Sequence, residues 1–226
     1  MKNTENDREK DIVVFGTGDF SDIVSFILEK KQNRTIAAYT VDAKYKTQDQ
    51  YNGKPLIAFE KICEIYPSKQ YSIVIGFIGK QMFNQRSVIA EKILELGYEL
   101  ENVIDSSAAV DTTNIGYGNI ILANASIEAH CEVGNCNIIW QNVVMPHHNK
   151  VGSFNNLAPS VSLSGYSQVG SHCFVGNNVC VKNRVVIHDY AYIGAGSYVS
   201  KDVASEHVLV PHRSYELENK SGFDFL

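Results

Sequence analysis

Two adjacent histidines, His147 and His148, follow a proline in the segment NVVMPHHNKVG, and Gly165 stands eighteen residues beyond the first of them. Imidazole titrates near neutrality, so a solvent-facing histidine can take a proton from an amine or a hydroxyl. A glycine leaves its backbone N–H open to a ligand carbonyl, and an N–H aimed at a developing oxyanion stabilises it. The pairing has chemical meaning only if eighteen residues make one step of a stacked fold. Without such a fold, two surface histidines are an ordinary solvated feature.

A second group lies near the N-terminus. Gly16-Thr17-Gly18-Asp19-Phe20-Ser21 follows a short apolar run and opens a helical pattern. Backbone N–H groups at a strand-to-helix turn, backed by the helix dipole, can hold a phosphate. The third glycine of a full GxGxxG is replaced by Ser21, so the turn equally serves to pack strand on helix. Asp42 closes the second apolar run, where a carboxylate can accept from a ribose or a base, and Gly76 closes the third. Gly16, Gly18, Asp42 and Gly76 are thus expected at one carboxyl edge, as a nucleotide crevice.

The element that must position the histidines is a repeat. Fifteen aliphatic residues sit six apart, from Ile115 through Met145 to Val199. Neither a helix of period 3.6 nor a strand of period 2 keeps one phase for so long. Six residues per side and eighteen per coil give a three-sided parallel β-helix. Four residues on, the side chains are mostly small, among them Ala125, Cys131, Ser167, Cys173, Ala191 and Ser197. Adding eighteen to a position gives its neighbour one coil up. Gly165 then lies over His147, Tyr166 over His148, and His130 under His148. Five coils are expected from Ile115 to about Val203.

Upstream, the pattern reads as strands at 12–15, 35–41 and 71–75, helices behind Ile23-Val24-Ile27-Leu28, around 59–65 and at 84–96, a polar loop at Asn52-Gly53-Lys54-Pro55, and a last strand near 100–104. Strands alternating with helices predict a small Rossmann-like α/β domain. The expected organisation is a flexible tail at 1–10, a Rossmann-like nucleotide-binding domain at 11–106, and the β-helix with its C-terminal cap at 107–226. The α/β domain is expected to cover one end of the coil, and the tail containing Val210-Pro211-His212-Arg213 to fold over the other.

The chain has 226 residues, 44% of them hydrophobic and 20% charged, with a formal net charge of −5 and no basic block. That balance argues against a nucleic-acid surface. The five cysteines form no CxxC pair and read as reduced packing residues. No stretch reaches the length of a membrane span, and the polar N-terminus lacks a signal-peptide core. A cytoplasmic protein is expected.

The hexad array, the FGTGDF turn and NVVMPHHNKVG together resemble the bacterial two-domain sugar acyltransferases of the hexapeptide-repeat superfamily. These include nucleotide-linked 4-amino-sugar N-acetyltransferases and relatives of sialic acid O-acetyltransferase, and the resemblance covers roughly residues 11–211. It implies a left-handed parallel β-helix, an exception to the usual right-handed crossover, and a homotrimer with sites in the clefts between subunits. It also implies that acetyl-CoA is the cosubstrate, with His147 as general base, the Gly165 N–H facing the thioester carbonyl, and Asn177 and Ala195 lining the pantetheine arm. The N-terminal turn and Asp42 would hold the nucleotide-linked sugar. His148 would set the His147 tautomer or contact the sugar. The chain departs from the pattern where a further histidine of some members falls on Asn156 or Ser160, where Asp19 and Phe20 replace a glycine-histidine pair, and in its C-terminal stretch.

The expected reaction is direct attack by the sugar amine on the thioester, with no metal. No cysteine is expected near the histidine corner, so no acyl-enzyme enters the reading. Alternatives are sugar O-acetylation, a zinc enzyme of the γ-carbonic-anhydrase type using His147 or His148 with His130 or His172, and a non-catalytic ligand-binding protein.

Overall fold

In the computed structural model, residues 9–79, 84–212 and 214 are described. Arg213 and the first eight residues of the expected tail lie outside them. Lys10, the last residue of that tail, is anchored by Glu99 at 2.8 Å and by the Ser68 carbonyl at 3.1 Å.

The first half of the chain folds around a five-stranded sheet. Its strands are β1 (Asp11–Phe15), β2 (Ile36–Val41), β3 (Gln50–Tyr51), β4 (Lys54–Ala58) and β5 (Tyr71–Ile75), in the order β3-β4-β2-β1-β5. All pairings are parallel except the β3–β4 hairpin. The order runs outward from β1 in both directions, so a crevice opens between the loops after β1 and β5. Helix α1 (Asp19–Phe26) buries Val24 against Ile12 and Val14 on one face. Helix α3 (Asn84–Glu95) buries Ile89 and Ile93 against Val13, Ile73 and Ile75 on the other, with α2 (Ile62–Ile65) beside it.

The expected polar loop at 52–55 is half strand. Asn52 and Gly53 both have positive φ (49° and 72°), as a two-residue hairpin requires, and Lys54-Pro55 already belong to β4. The expected last strand divides. Leu100 bridges Ile73 of the sheet, whereas Val103–Ile104 pairs with Ile120–Ile121 and opens the coil.

The coil has three parallel walls, described over seven, six and four strands. The first wall runs from Val103–Ile104 to Val208–Leu209, the second from Ala109–Val110 to Tyr198–Val199, and the third from Glu132–Val133 to Val186–Ile187. Neighbours along a wall are eighteen residues apart through most of the stack, as in Ile120↔Ile138 and Lys150↔Gln168. The offset is seventeen at Val103↔Ile120 and sixteen at Tyr192↔Val208, which is why a strict hexad search stops short of both ends. The hexad aliphatics from Ile121 to Val199 are all buried in one core.

Corners are turned by residues with φ near 60°, every sixth residue from Asn124 to Tyr190. Left-handed backbone disfavours residues with a Cβ, and stacking helps offset that cost. The corner N–H groups donate one coil down, as His172 does to the Ser153 carbonyl at 2.9 Å. Inside, Asn119, Asn137 and Asn155 form an amide ladder. The Asn137 Nδ2 donates to Asn119 Oδ1 (3.0 Å) and the Gly152 carbonyl (2.9 Å), and its Oδ1 accepts from the Asn155 N–H (2.9 Å). The ladder ends on the Cys173 N–H.

The two halves meet side by side. Phe20, Val24 and Ile27 pack on Ile120, Leu122 and Ile138, outward-facing residues of the first wall, and the Phe20 and Trp140 rings lie 5.6 Å apart. The helix layer of the first half therefore leans on the lower rungs of the first wall, and Gln32 donates to the Ile104 carbonyl at 2.7 Å on the lowest of them. Ile120 and Ile138 are fully buried there, whereas the outward residues one, two and three rungs up the same wall are Asn156, Phe174 and Tyr192. At the far end, Val208–Leu209 extends the first wall and leaves Val210 65% exposed, so the described tail continues the stack and does not fold over it. Among the described residues no helix is long and apolar enough to cross a membrane.

Candidate active site

The corner between the second and third walls carries His130, His148, Tyr166 and Arg184, all with φ of 61–63°. Identical backbone at each level makes their flat side chains stack. The ring centroids of His130 and His148 are 4.8 Å apart, as are those of His148 and Tyr166, with interplanar angles of 27° and 18°. The Arg184 guanidinium caps the column, 4.6 Å from the Tyr166 centroid. The column borders a groove of about 490 Å3 that Glu132, Lys150 and Gln168 also line, with Lys150 and Glu132 paired at 2.8 Å.

His147 precedes the corner and stands on the other side of this ridge. Its backbone N–H donates to Glu128 Oε2 at 3.1 Å, and its Nδ1 lies 3.2 Å from the Nδ1 of His148. Its remaining nitrogen faces upward. A Cβ built on Gly165 would lie 3.1 Å from His147 Nε2 and 2.9 Å from Cε1. The imidazole thus occupies the space that any side chain at 165 would need. The Gly165 carbonyl accepts from Asn183 Nδ2 (2.7 Å) and the Arg184 N–H (3.2 Å), whereas among the described residues nothing accepts its N–H. An exposed imidazole and a backbone N–H with no acceptor among the described residues therefore sit together, as proton abstraction beside an oxyanion donor requires.

One expectation fails here. Cys131 lies directly beneath this corner, its Sγ 3.1 Å from the Pro146 carbonyl and 3.6 Å from that of Met145. The thiol points into the core, and burial, opposed by nearby backbone N–H groups, raises it above its ordinary value. A thiolate is disfavoured there, so the residue is close to the histidines without being a nucleophile. Stacking also bears on zinc. Rings packed face to face direct their nitrogens outward in parallel planes, and among the described residues no three His, Cys, Asp or Glu converge as a metal site.

Asn177 and Ala195 lie one coil apart beside the corner residues Asn178 and Gly196, where the first wall meets the second. One full wall separates them from Gly165, so the single chain does not bring the two groups together. Asn156, where a further histidine was considered, accepts from the Trp140 indole N–H at 2.6 Å on the first wall.

At the sheet's carboxyl edge, Gly16 and Gly76 touch. A Cβ on Gly76 would come within 2.7 Å of Val14 Cγ1, and one on Gly16 within 3.2 Å of the Gly76 carbonyl. Ser21 fills the third glycine's place and donates to the Gly76 carbonyl at 2.7 Å, which accounts for the substitution. The Gly18 N–H, however, is engaged by the Tyr51 hydroxyl at 2.8 Å, and that hydroxyl donates to Asp22 at 2.7 Å. Asp19 and Asp22 further place two carboxylates in the first turn of α1, where they oppose a phosphate. Asp42 closes β2 at the same edge, and among the described residues its carboxylate has no donor. The edge as built suits hydroxyl and amide donors better than a phosphate.

Sequence reasoning missed Tyr51, Glu128 and Asn183. Glu128 and Asn183 sit eighteen residues from Pro146 and Gly165, so the repeat carried their signal. Tyr51 reaches Gly18 across a hairpin, and no local pattern announces that contact.

Residues 166–201 match the family described as bacterial transferase hexapeptide (six repeats). No curated protein sequence matches the chain. Among solved structures, it is similar to the perosamine N-acetyltransferase of Caulobacter crescentus, a histidine-to-asparagine variant in complex with CoA and GDP-perosamine. The identity is 23% and the TM-score 0.79, over 89% of this chain and 93% of that one. It is likewise similar to the acetyltransferase domain of PglB from Neisseria gonorrhoeae FA1090 in complex with acetyl coenzyme A, at 21% identity and TM-score 0.79, over 90% of this chain and 97% of that one. WeeI from Acinetobacter baumannii AYE aligns over the same shares at 12% identity and TM-score 0.66. At such identities the likeness establishes a common fold.

Proposed function

We propose that this chain is an acetyl-CoA-dependent N-acetyltransferase acting on a nucleotide-linked amino sugar. In this reading the Rossmann-like first half of the chain holds the nucleotide, and a left-handed β-helix running from Val103 to Leu209 carries the chemistry. The observation that carries it is the placing of the His147 ring in the space a side chain at Gly165 would need, beside a Gly165 N–H that nothing accepts among the described residues. The fold likeness to structures holding CoA, acetyl-CoA and GDP-perosamine supports the substrate class.

An ammonium has no lone pair, so the amine must lose a proton before or during attack on the thioester carbon. The amine therefore attacks as the free base, its nitrogen yields its proton to His147 Nε2 as the C–N bond forms, and the Gly165 N–H receives the carbonyl oxygen as it becomes an oxyanion. The C–S bond then breaks, and the proton on His147 passes to the departing thiolate of coenzyme A. Asn177 and Ala195 line the pantetheine arm from a neighbouring subunit of a homotrimer, which accounts for the full wall between them and Gly165 in one chain. Gly16, Gly18, Gly76 and Asp42 receive the nucleoside end.

The test is a thermal-shift screen of UDP-, GDP- and dTDP-linked amino sugars, followed by thiol release from acetyl-CoA with those that bind. His147→Ala should lower turnover by a factor of about 100 or more without shifting the unfolding midpoint. Unchanged turnover would remove His147 as the base.

A further inference from the structure

Arg86 lies in the first turn of α3 and is fully buried, 1% exposed. Its Nη1 donates to the Ile75 carbonyl at 3.1 Å and to the Phe77 carbonyl. Between them, the Gly76 N–H donates towards β1, to the Phe15 carbonyl at 2.8 Å, so the carbonyls at 75 and 77 face away from β1. β5 is the last strand of its sheet, and the guanidinium covers two of its outer carbonyls. The Nε and Nη2 of Arg86 are buried with no acceptor, and among the described residues no carboxylate pairs with it.

Nothing in the fold asks for a charge there. Capping two carbonyls needs only a neutral donor. Burying a guanidinium with two unpaired donors is unfavourable, and a cation in the first turn of a helix opposes the helix dipole. Burial pulls Arg86 down to about 10, an effect that the neighbouring Cys136 opposes, so the charge is complete at neutral pH. The same strand end carries the expected nucleotide edge. Gly76, between the two carbonyls that Arg86 holds, accepts from Ser21 at 2.7 Å and touches Gly16. Asp19, Asp22 and Asp42 stand at that edge, and their carboxylates oppose a diphosphate. A nucleotide bound there needs a cation close by.

We propose that Arg86 is a positioning residue that supplies this countercharge from behind the Gly76 peptide, so that the edge takes a nucleoside diphosphate in preference to the free nucleoside. This rests on the nucleotide-sugar reading above and names the part of that ligand the buried charge selects. The guanidinium does not touch the phosphates. It acts through a protein interior that screens weakly. At a span of roughly 10 Å and an effective dielectric of about 20, a unit charge is worth on the order of tenfold in affinity. Its grip on the carbonyls either side of Gly76 keeps the charge at a constant distance from the edge.

The probes are UDP, GDP and dTDP against uridine, guanosine and thymidine, titrated calorimetrically into the full chain. The pair that binds defines a ratio of nucleoside Kd to diphosphate Kd, which in wild type should be about tenfold or more. Arg86→Gln keeps a donor for the carbonyls and removes the charge. It should lower that ratio by about tenfold and leave nucleoside affinity within about twofold. Arg86→Lys keeps the charge and should keep the ratio within about threefold. Arg86→Met, neutral and of similar length, repeats the Gln measurement without a donor, and thermal midpoints confirm that each variant is folded. A nucleoside affinity that falls as far as the diphosphate affinity would mark a purely structural residue and overturn the proposal. So would an unchanged ratio in the neutral variants, or a lost ratio in Arg86→Lys. A wild-type ratio near one overturns it too, with the nucleotide-sugar reading left standing. Wild type that binds neither kind of probe sinks that reading, and the countercharge with it.

Discussion

Replacing Gly165 by alanine tests the site by a fraction of an ångström. The glycine does not use positive φ, so alanine fits the backbone without strain. The added methyl would stand 2.9 Å from His147 Cε1 and 3.1 Å from Nε2, against an ordinary contact of about 3.4–4 Å. His147 is exposed, so its ring can retreat, by roughly 0.5 to 1 Å. A 1 Å misplacement of a reacting group costs on the order of 100-fold, so turnover should fall by about 10- to 100-fold, or roughly 1.4–2.7 kcal/mol of barrier. The same methyl crowds the Gly165 N–H, pushing the effect towards the upper figure. Stability should hardly move, because the Gly165 carbonyl keeps its bonds to Asn183 and Arg184. The assay is thiol release from acetyl-CoA at saturating acceptor, with the thermal midpoint as control. Turnover within twofold of wild type at an unchanged midpoint would refute the argument, since the imagined reaction site would then tolerate a methyl group at its centre.

Further expectations concern the scaffold. Asn137→Leu leaves the Asn155 N–H and the Gly152 carbonyl without their partners inside the coil. At about 1–3 kcal/mol for each buried orphan, it should destabilise by roughly 3 kcal/mol in denaturant unfolding. Burial would raise the Asp105 carboxyl, but the Lys31 ammonium at 2.6 Å and the N–H and O–H of Ser107 together hold it below its ordinary value. Its folded value is the lower one, so its stabilisation is present above about pH 4 and is lost as pH falls through the depressed value. Unfolding midpoints between pH 7 and pH 3 should therefore fall less steeply in Asp105→Asn than in wild type. Equal slopes would show that this carboxylate does not link stability to acid.

The coil was legible because its signal is repetitive. Each side must bury one large aliphatic and turn one tight corner, so Ile121, Ile127 and their successors carry the architecture position by position. The stack of Gly165 on His147 and of Tyr166 on His148 follows from adding eighteen. What broke the arithmetic was a change of step. Val103–Ile104 and Val208–Leu209 join the first wall with offsets of seventeen and sixteen, so the period leaves the one to the last strand of the α/β half and the other to a cap. The hairpin at Asn52-Gly53 was present in the sequence as a turn dipeptide, yet Pro55 suggested a loop. Proline fits there because Pro55 lies ahead of the β2–β4 ladder, which begins at Leu56, so no ladder donor is lost.

The amino-acid order alone determined a three-sided coil, the level at which each side chain stands, and the corner that carries two imidazoles. Those are consequences of period, and period is local. Contacts between segments far apart in the chain were decided only in three dimensions. The Tyr51 hydroxyl takes the Gly18 N–H, Cys131 tucks its thiol beneath Pro146, and helix α1 packs on the flank of the first wall. Side-chain reach and the burial of Ile120, Ile138 and Trp140 settle these matters, and neither is written in a spacing of six.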